Sequence, residues 1–309
     1  MEGERHGRFP FGNALVLESP GRPVRRILVD TGVGDQVLRM VLERGPVDVV
    51  VNTHYHIDHV RGNGPVADRY PEVRFWCPEG EEEAFRSWEG FLAFTGLNAR
   101  GRAVSGPADL GWRAVPVDRT LGDGDALGLP GLEARVVRLP GHTPGHSGLV
   151  FPRERVVFSA DIEFGGFGPW YGDVYGDPDA YLDSLARLER LVDEVSEGGR
   201  RGVTVVTSHR RPLDYAAFKE RLPRFRVRLL QRDERILAIL RRDGPLTQDE
   251  VAARWPVYGP GAPDWPGIPK AEYLMTGHHL RRLERLGLVV AEPAAGRGRE
   301  GGVIVWRVT

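Results

Sequence analysis

Apolar and polar positions along this chain follow two periods, and the order of those periods predicts a layered α/β fold. Short apolar runs at 13–18 and 26–30, joined by Ser19-Pro20-Gly21, read as strands. Residues 35–44 read as a helix with Val37, Leu38, Val41 and Leu42 on its apolar face, stopped by Gly45-Pro46. The run 47–51 reads as a strand. Helical patterns at 60–69 and 79–94 enclose a strand at 73–76, and 98–110 reads as a loop rich in Gly, Arg and Pro. Further strands are expected at 114–117, 125–129, 132–139, 148–151, 156–159 and 203–206. An amphipathic helix from Asp179 to about residue 195 carries Leu182, Leu185 and Leu188 on one face.

Four of these strands stop at side chains able to hold a metal. The run 47–51 is followed by Thr53-His54-Tyr55-His56-Ile57-Asp58-His59, 132–139 leads to His142, 156–159 to Asp161, and 203–206 to His209. Imidazole and carboxylate suit zinc, manganese and iron. In an extended segment residues 54, 56 and 58 project to one side, and His59 follows where the chain must turn. One run can therefore serve two metal positions. Taken singly, His142, Asp161 and His209 also fit turn or surface residues. Their recurrence at strand ends, where α/β folds assemble sites, argues for one centre.

These residues, with His142 set in Gly141-His142-Thr143-Pro144-Gly145-His146 and with the strand end Val29-Asp30-Thr31-Gly32, resemble the motifs of the metallo-β-lactamase superfamily over residues 10–215. The resemblance implies an αββα sandwich: two mixed sheets face to face, helices outside, two metals along one edge. Carried over by position, His54, His56 and His142 would bind the first metal, Asp58, His59 and His209 the second, and Asp161 would bridge them. His146 would support the site. Departures from the family narrow the chemistry. The commonest zinc β-lactamases have cysteine where this chain has Asp161. Flavodiiron-type oxygen reductases have a carboxylate in place of His56. RNA-processing members carry a long insert that is missing between Asp161 and His209. The remaining pattern resembles class II glyoxalases, lactonases, phosphodiesterases and nucleases. The implied cofactors are two divalent metal ions, zinc by expectation, with iron and manganese as alternatives. A metal-bridging hydroxide would attack an ester, thioester, lactone or phosphodiester, and Asp58 would hold both a metal and the attacking water.

The catalytic domain is expected over 1–222 and a small winged-helix-like domain over 223–309. Helical patterns at 234–241 and 270–286, the Thr247-to-Glu250 capping box and apolar runs at 288–291 and 303–308 resemble a winged helix, a tail found on some β-lactamase-like hydrolases. Charge separates the two parts: 221–309 is net +6 and 1–220 net −7. Arg281, Arg282, Arg285, Arg297 and Arg299 would be phosphate contacts if the tail bound nucleic acid. Packing or homodimer formation is the alternative. The aromatics Phe167, Trp170, Tyr171 and Tyr175 follow Asp161 and would either shape a substrate pocket or anchor their loop. No apolar run is long enough to span a bilayer, Met1–Arg8 lacks the apolar stretch of a secretory signal, and the single Cys77 excludes an internal disulfide. Together these point to the cytoplasm. Three other functions are carried beside hydrolysis of a small molecule: a metal-dependent endoribonuclease using the basic tail, a ligand-sensing DNA-binding regulator, and a mono-iron persulfide dioxygenase.

Overall fold

The computed structural model describes residues 1–98, 106–263, 267–294 and 303–309. β1 (Leu15–Glu18) pairs antiparallel with β2 (Arg26–Val29), and α1 (Asp35–Glu43) crosses over to the parallel β3 (Val49–Val51). The histidine run then enters α2 (Ile57–Val60) and α3 (Asn63–Arg69), which return the chain to β4 (Arg74–Pro78). After α4 (Glu83–Arg86) and α5 (Trp88–Thr95), β5 (Arg119–Leu121) completes a sheet ordered β1-β2-β3-β4-β5. The second sheet follows sequence order: β6 (Arg135–Arg138), β7 (Ser147–Phe151), β8 (Val156–Phe158) and, beyond α6 (Pro178–Val195), β9 (Thr204–Val206). Only β8 and β9 are parallel in it.

The period of two along each strand creates the layers. Ile27, Val29, Val49 and Val51 point between the sheets, where they share a core with Val136, Leu149 and Phe158. Their neighbours Leu28 and Val50 point outward to Leu38 and Val41 of α1. On the far side Val137, Val150, Val157 and Val205 meet Leu185 and Leu188 of α6. The fold is the expected αββα sandwich, with two sheets face to face and helices on the outer faces.

Local departures have local causes. The helix expected at 79–94 divides at Ser87, whose backbone is extended and whose hydroxyl caps α5 by accepting from Gly90 N at 3.0 Å. The strands expected at 114–117 and 125–129 are absent. β5 lies between them, and Ala126 makes only an isolated bridge to Arg135. Gly128 and Gly131, both left-handed (φ 69° and 77°), turn that stretch out of the sheet.

The last part of the chain starts on the sandwich itself. α7 (Tyr215–Asp243) begins well before the helix expected at 234. Its Phe218, Leu222, Phe225 and Leu229 pack on the second sheet. Its C-terminal half supplies Ile236, Leu237 and Leu240 to a separate core with Val251 of α8 (Gln248–Ala252), Leu280 and Leu283 of α9 (Ile268–Arg285) and Trp306. Trp306 belongs to the antiparallel hairpin β10 (Val289–Pro293) and β11 (Ile304–Val308). The expected division at 222/223 thus lies within one continuous helix, beside Pro223. Arg297 and Arg299 fall outside the described residues. No helix among the described residues is long and apolar enough to cross a membrane.

Candidate metal centre

The strand ends of β2, β3, β6, β8 and β9 meet along one edge of the sandwich and bring all seven expected ligands together. Two groups form: His54, His56, His142 and Asp161, and Asp58, His59, Asp161 and His209, with the candidate donor atoms of each group within 4.8 Å of one another. Asp161 belongs to both. The division within the histidine run differs from simple alternation. The extended backbone ends at His56, α2 begins at Ile57, and Asp58 is therefore carried with His59 to the second group rather than aligned with His54 and His56.

The backbone is bent to make this possible. Asp30 (φ 59°) and Ala160 (φ 44°) hold the left-handed conformation where β2 and β8 end, the second immediately before Asp161. Gly32 has no room for a side chain, since a Cβ there would lie 1.7 Å from the Asp58 carbonyl oxygen.

In the first group the inner ring nitrogens converge. His54 Nε2 lies 2.9 Å from His56 Nδ1, and His142 Nε2 lies 2.9 Å from His56 Nδ1 and 3.2 Å from His54 Nε2. Three imidazoles at that separation repel if protonated and gain from a shared cation. Burial keeps the His54 and His56 rings below their ordinary pKa, against the pull of Asp161 and Asp173 respectively. In the second group His59 Nε2 and Asp161 Oδ1 are 3.0 Å apart, and both are buried without a hydrogen-bond partner. Orphaned buried polar atoms are costly unless something binds them, and nitrogen and carboxylate donors turned inward fit a metal.

The outer nitrogens are all engaged, which sets each ring's tautomer. His59 Nδ1 lies 2.8 Å from Asp30 Oδ2, and the same carboxylate accepts from Thr53 N and Oγ1. His142 Nδ1 donates to the Trp170 carbonyl at 2.8 Å, and His209 Nδ1 to those of Gly7 and Phe11 at 2.7 and 3.0 Å. His54 Nδ1 meets the Thr53 hydroxyl at 3.0 Å. His56 Nε2 lies 2.7 Å from Asp173 Oδ2. His146 belongs to neither donor group: its Nδ1 donates to Leu139 O and its Nε2 accepts from Asp161 N, which places the carboxylate common to both groups. Burial lowers the His146 ring to about 3, so it stays neutral in that role.

Several contributors carried little sequence signal. Asp173 stands alone in an aromatic loop. The Gly7 and Phe11 carbonyls lie in the N-terminal segment, which is pinned by Glu4 N to Val33 O and by Ala14 N to Met1 O. Lys270 had a signal, since lysine occurs only at 219 and 270 in an arginine-rich chain. The aromatic loop resolves into two roles. Tyr171 is buried, donating to His279 Nε2 at 2.7 Å and accepting from Arg232, so it anchors. Trp170 lies edge-on to His56 with centroids 5.3 Å apart, and Tyr175 and Phe167 stay exposed. Two clefts of about 310 and 580 Å³ lie elsewhere, around Asp48 at the opposite end of β3, lined by Arg25 and Arg74 and far from the converging histidines.

His278 of α9 donates from Nε2 to the Asp173 carbonyl at 2.8 Å and is pushed down to about 4 by burial. The unfolded chain takes up that proton near 6.5 and the folded protein only near 4. Stability is therefore full above pH 6.5 and falls by about 3 kcal/mol as pH drops toward 4. Urea unfolding at pH 7 and 4.5 should show this loss, and His278→Gln should make it smaller by a similar amount. An unchanged pH slope in the variant would count against the assignment.

Residues 7–198 match the family model of the metallo-beta-lactamase superfamily, and the chain belongs to that superfamily. It is similar to a hydroxyacylglutathione hydrolase of Methylococcus capsulatus, 28% identical over 269 residues that cover 83% of this chain and 88% of that one. It is 30% identical over 166 residues to a hydroxyacylglutathione hydrolase of Synechococcus sp. (strain JA-3-3Ab), covering 53% of each, so the match spans about half of that relative's length. The crystal structure of a metallo-beta-lactamase family protein from Thermus thermophilus superposes with a TM-score of 0.69 at 24% identity, over 98% of this chain and 96% of that one.

Proposed function

We propose that this protein is a dinuclear metal-dependent hydrolase acting on an acyl ester or thioester. The carrying observation is the pair of four-residue donor groups sharing Asp161, with every ring nitrogen not facing a metal position held by a partner. His54, His56 and His142 would bind one ion, Asp58, His59 and His209 the other, and Asp161 both. The nitrogen-rich donor set favours zinc. Two bound divalent ions supply Lewis acidity and bring the pKa of coordinated water toward neutrality. Against the opposing effect of burial, His59 and His209 hold the Asp58 carboxyl below its ordinary range, leaving it ionised to hold a metal position and to orient attacking water. Trp170 offers apolar surface beside His56, suited to an acyl chain, and Phe94 and Tyr175 pack edge-on with one another.

The relatives named hydroxyacylglutathione hydrolase support a thioester among the candidate substrates. The arginines of α9 favour a packing role for the winged-helix-like tail over nucleic-acid binding. Arg281 contacts His278 Nδ1 at 2.8 Å, Arg282 is paired with Asp233 and Asp179, and Arg285 reaches Asp179 at 2.6 Å.

The test is turnover on a panel of acyl-glutathione thioesters, aryl esters, lactones, phosphodiesters and single-stranded RNA. Thioester or ester hydrolysis should vanish on chelation, return with zinc, and fall at least about a hundredfold in Asp58→Asn. Metal-dependent cleavage confined to RNA would replace this reading with the nuclease.

A further inference from the structure

Two of the three imidazoles of the first donor group take their orientation from one loop. His142 is held by the Trp170 carbonyl and His56 by the Asp173 carboxylate. The second group depends on other parts of the chain: His59 on Asp30 beyond β2, and His209 on the carbonyls of Gly7 and Phe11. The loop between Asp161 and α6 is in turn held by the C-terminal segment. Lys270, in the first turn of α9, donates from Nζ to Asp173 Oδ1 at 2.6 Å and to the Thr95 carbonyl at 2.7 Å. His278 donates to the Asp173 carbonyl, the Trp170 indole N–H donates to Tyr258 Oη at 2.8 Å, and Arg232 donates to the carbonyls of Phe167 and Pro169.

We propose that Lys270 is a positioning residue for the first metal position, acting through Asp173 on His56, so that the C-terminal segment governs one metal position and leaves the other alone. The inference rests on the dinuclear reading above. Lys270 and Asp173 are both nearly inaccessible to solvent, at 7% and 2% exposure, so the ammonium and the carboxylate compensate each other. The two oxygens of Asp173 divide the work: Oδ1 takes the ammonium and Oδ2 takes the His56 Nε2 proton. With that proton held outward, the His56 Nδ1 lone pair faces His54 and His142. Without Lys270 the Asp173 carboxylate is left buried with only His56 to balance it. The carboxylate then loses the contact that fixes its place, and the His56 ring it orients is free to shift, which weakens ligation. A lysine suits the position because a compact ammonium reaches a helix-end carbonyl and a carboxylate at once, where a planar guanidinium presents a wider fork.

The experiment loads the metal-stripped full-length protein with zinc and titrates it against a chromophoric chelator of known affinity. Wild type should show two ions. Lys270→Met and Asp173→Asn should each weaken one ion by about 10–100-fold and leave the other at wild-type affinity. Val251→Ala, in the separate core of the tail, serves as the control. It should lower the melting temperature without altering either affinity. Wild-type affinity for both ions in Lys270→Met and Asp173→Asn would overturn the inference while leaving the dinuclear reading intact. Equal weakening of both ions, or a matching loss in Val251→Ala, would overturn it too, by showing only general loosening. A wild-type protein that binds fewer than two ions would instead remove the dinuclear reading on which the inference stands.

Discussion

Asp161→Ala is expected to leave the protein folded but unable to retain two ions, with turnover reduced by at least about a thousandfold, equivalent to about 4 kcal/mol of transition-state stabilisation. Among the described residues no other side chain belongs to both donor groups. Its Oδ1 lies 3.0 Å from His59 Nε2 and 3.5 Å from His209 Nε2, and its Oδ2 3.3 Å from His142 Nε2. Burial works against its negative charge, yet His59, His209 and His54 keep the carboxyl well below its ordinary range. Removing it leaves two sets of inward-facing imidazoles with nothing anionic between them, and two cations would then repel unscreened. Metal content after dialysis, read beside turnover, checks both halves. Retention of two ions with turnover within tenfold of wild type would sink the role given to Asp161.

How far the sequence could be read follows from what each residue's signal depends on. The candidate donor residues that the structure brings together were legible because they follow apolar runs, and a strand's C-terminal end is where an α/β sheet gathers side chains from distant segments. The pleat made the sandwich legible too, since alternation at 27–29 and 49–51 assigns one face to the other sheet and one to the helices. Asp58 marks the limit of that logic. Periodicity alone places it with His54 and His56; the family resemblance puts it in the second group, and the helix starting at Ile57 is the physical reason it lies there. The supporting shell was largely illegible. Asp173 and Lys270 are 97 residues apart in sequence, and nothing local predicts that a loop carboxylate in one segment meets an ammonium on a helix in another. The first half of α7 was missed for a different reason. Phe218, Leu222, Phe225 and Leu229 recur at helical spacing, but Pro223 and the surrounding arginines interrupt the pattern where a domain boundary was expected.

Arg232→Ala is expected to be the most destabilising single change in the C-terminal segment, at about 4 kcal/mol. Arg232 sits on α7 where that helix passes from the sandwich to the tail, and it is 1% exposed. Its guanidinium donates to the carbonyl oxygens of Pro169 and Phe167 and to the Tyr171 hydroxyl, and it lies 4.6 Å from the Phe167 ring centroid. Truncation strips donors from three acceptors in a site too tight for easy solvation and opens a void where the side chain was. Lysine cannot stand in, because a single ammonium does not span the two carbonyls and the ring face that the planar fork serves together. The loss should be read by urea unfolding at pH 7, well above the range in which His278 titrates. Because the same loop carries Trp170 and Asp173, the variant should also weaken the first metal position, in the same direction as Lys270→Met. A loss below about 1 kcal/mol would mean that solvent reaches these carbonyls once the guanidinium is gone, and that the hold on the loop comes from α9 and Tyr258.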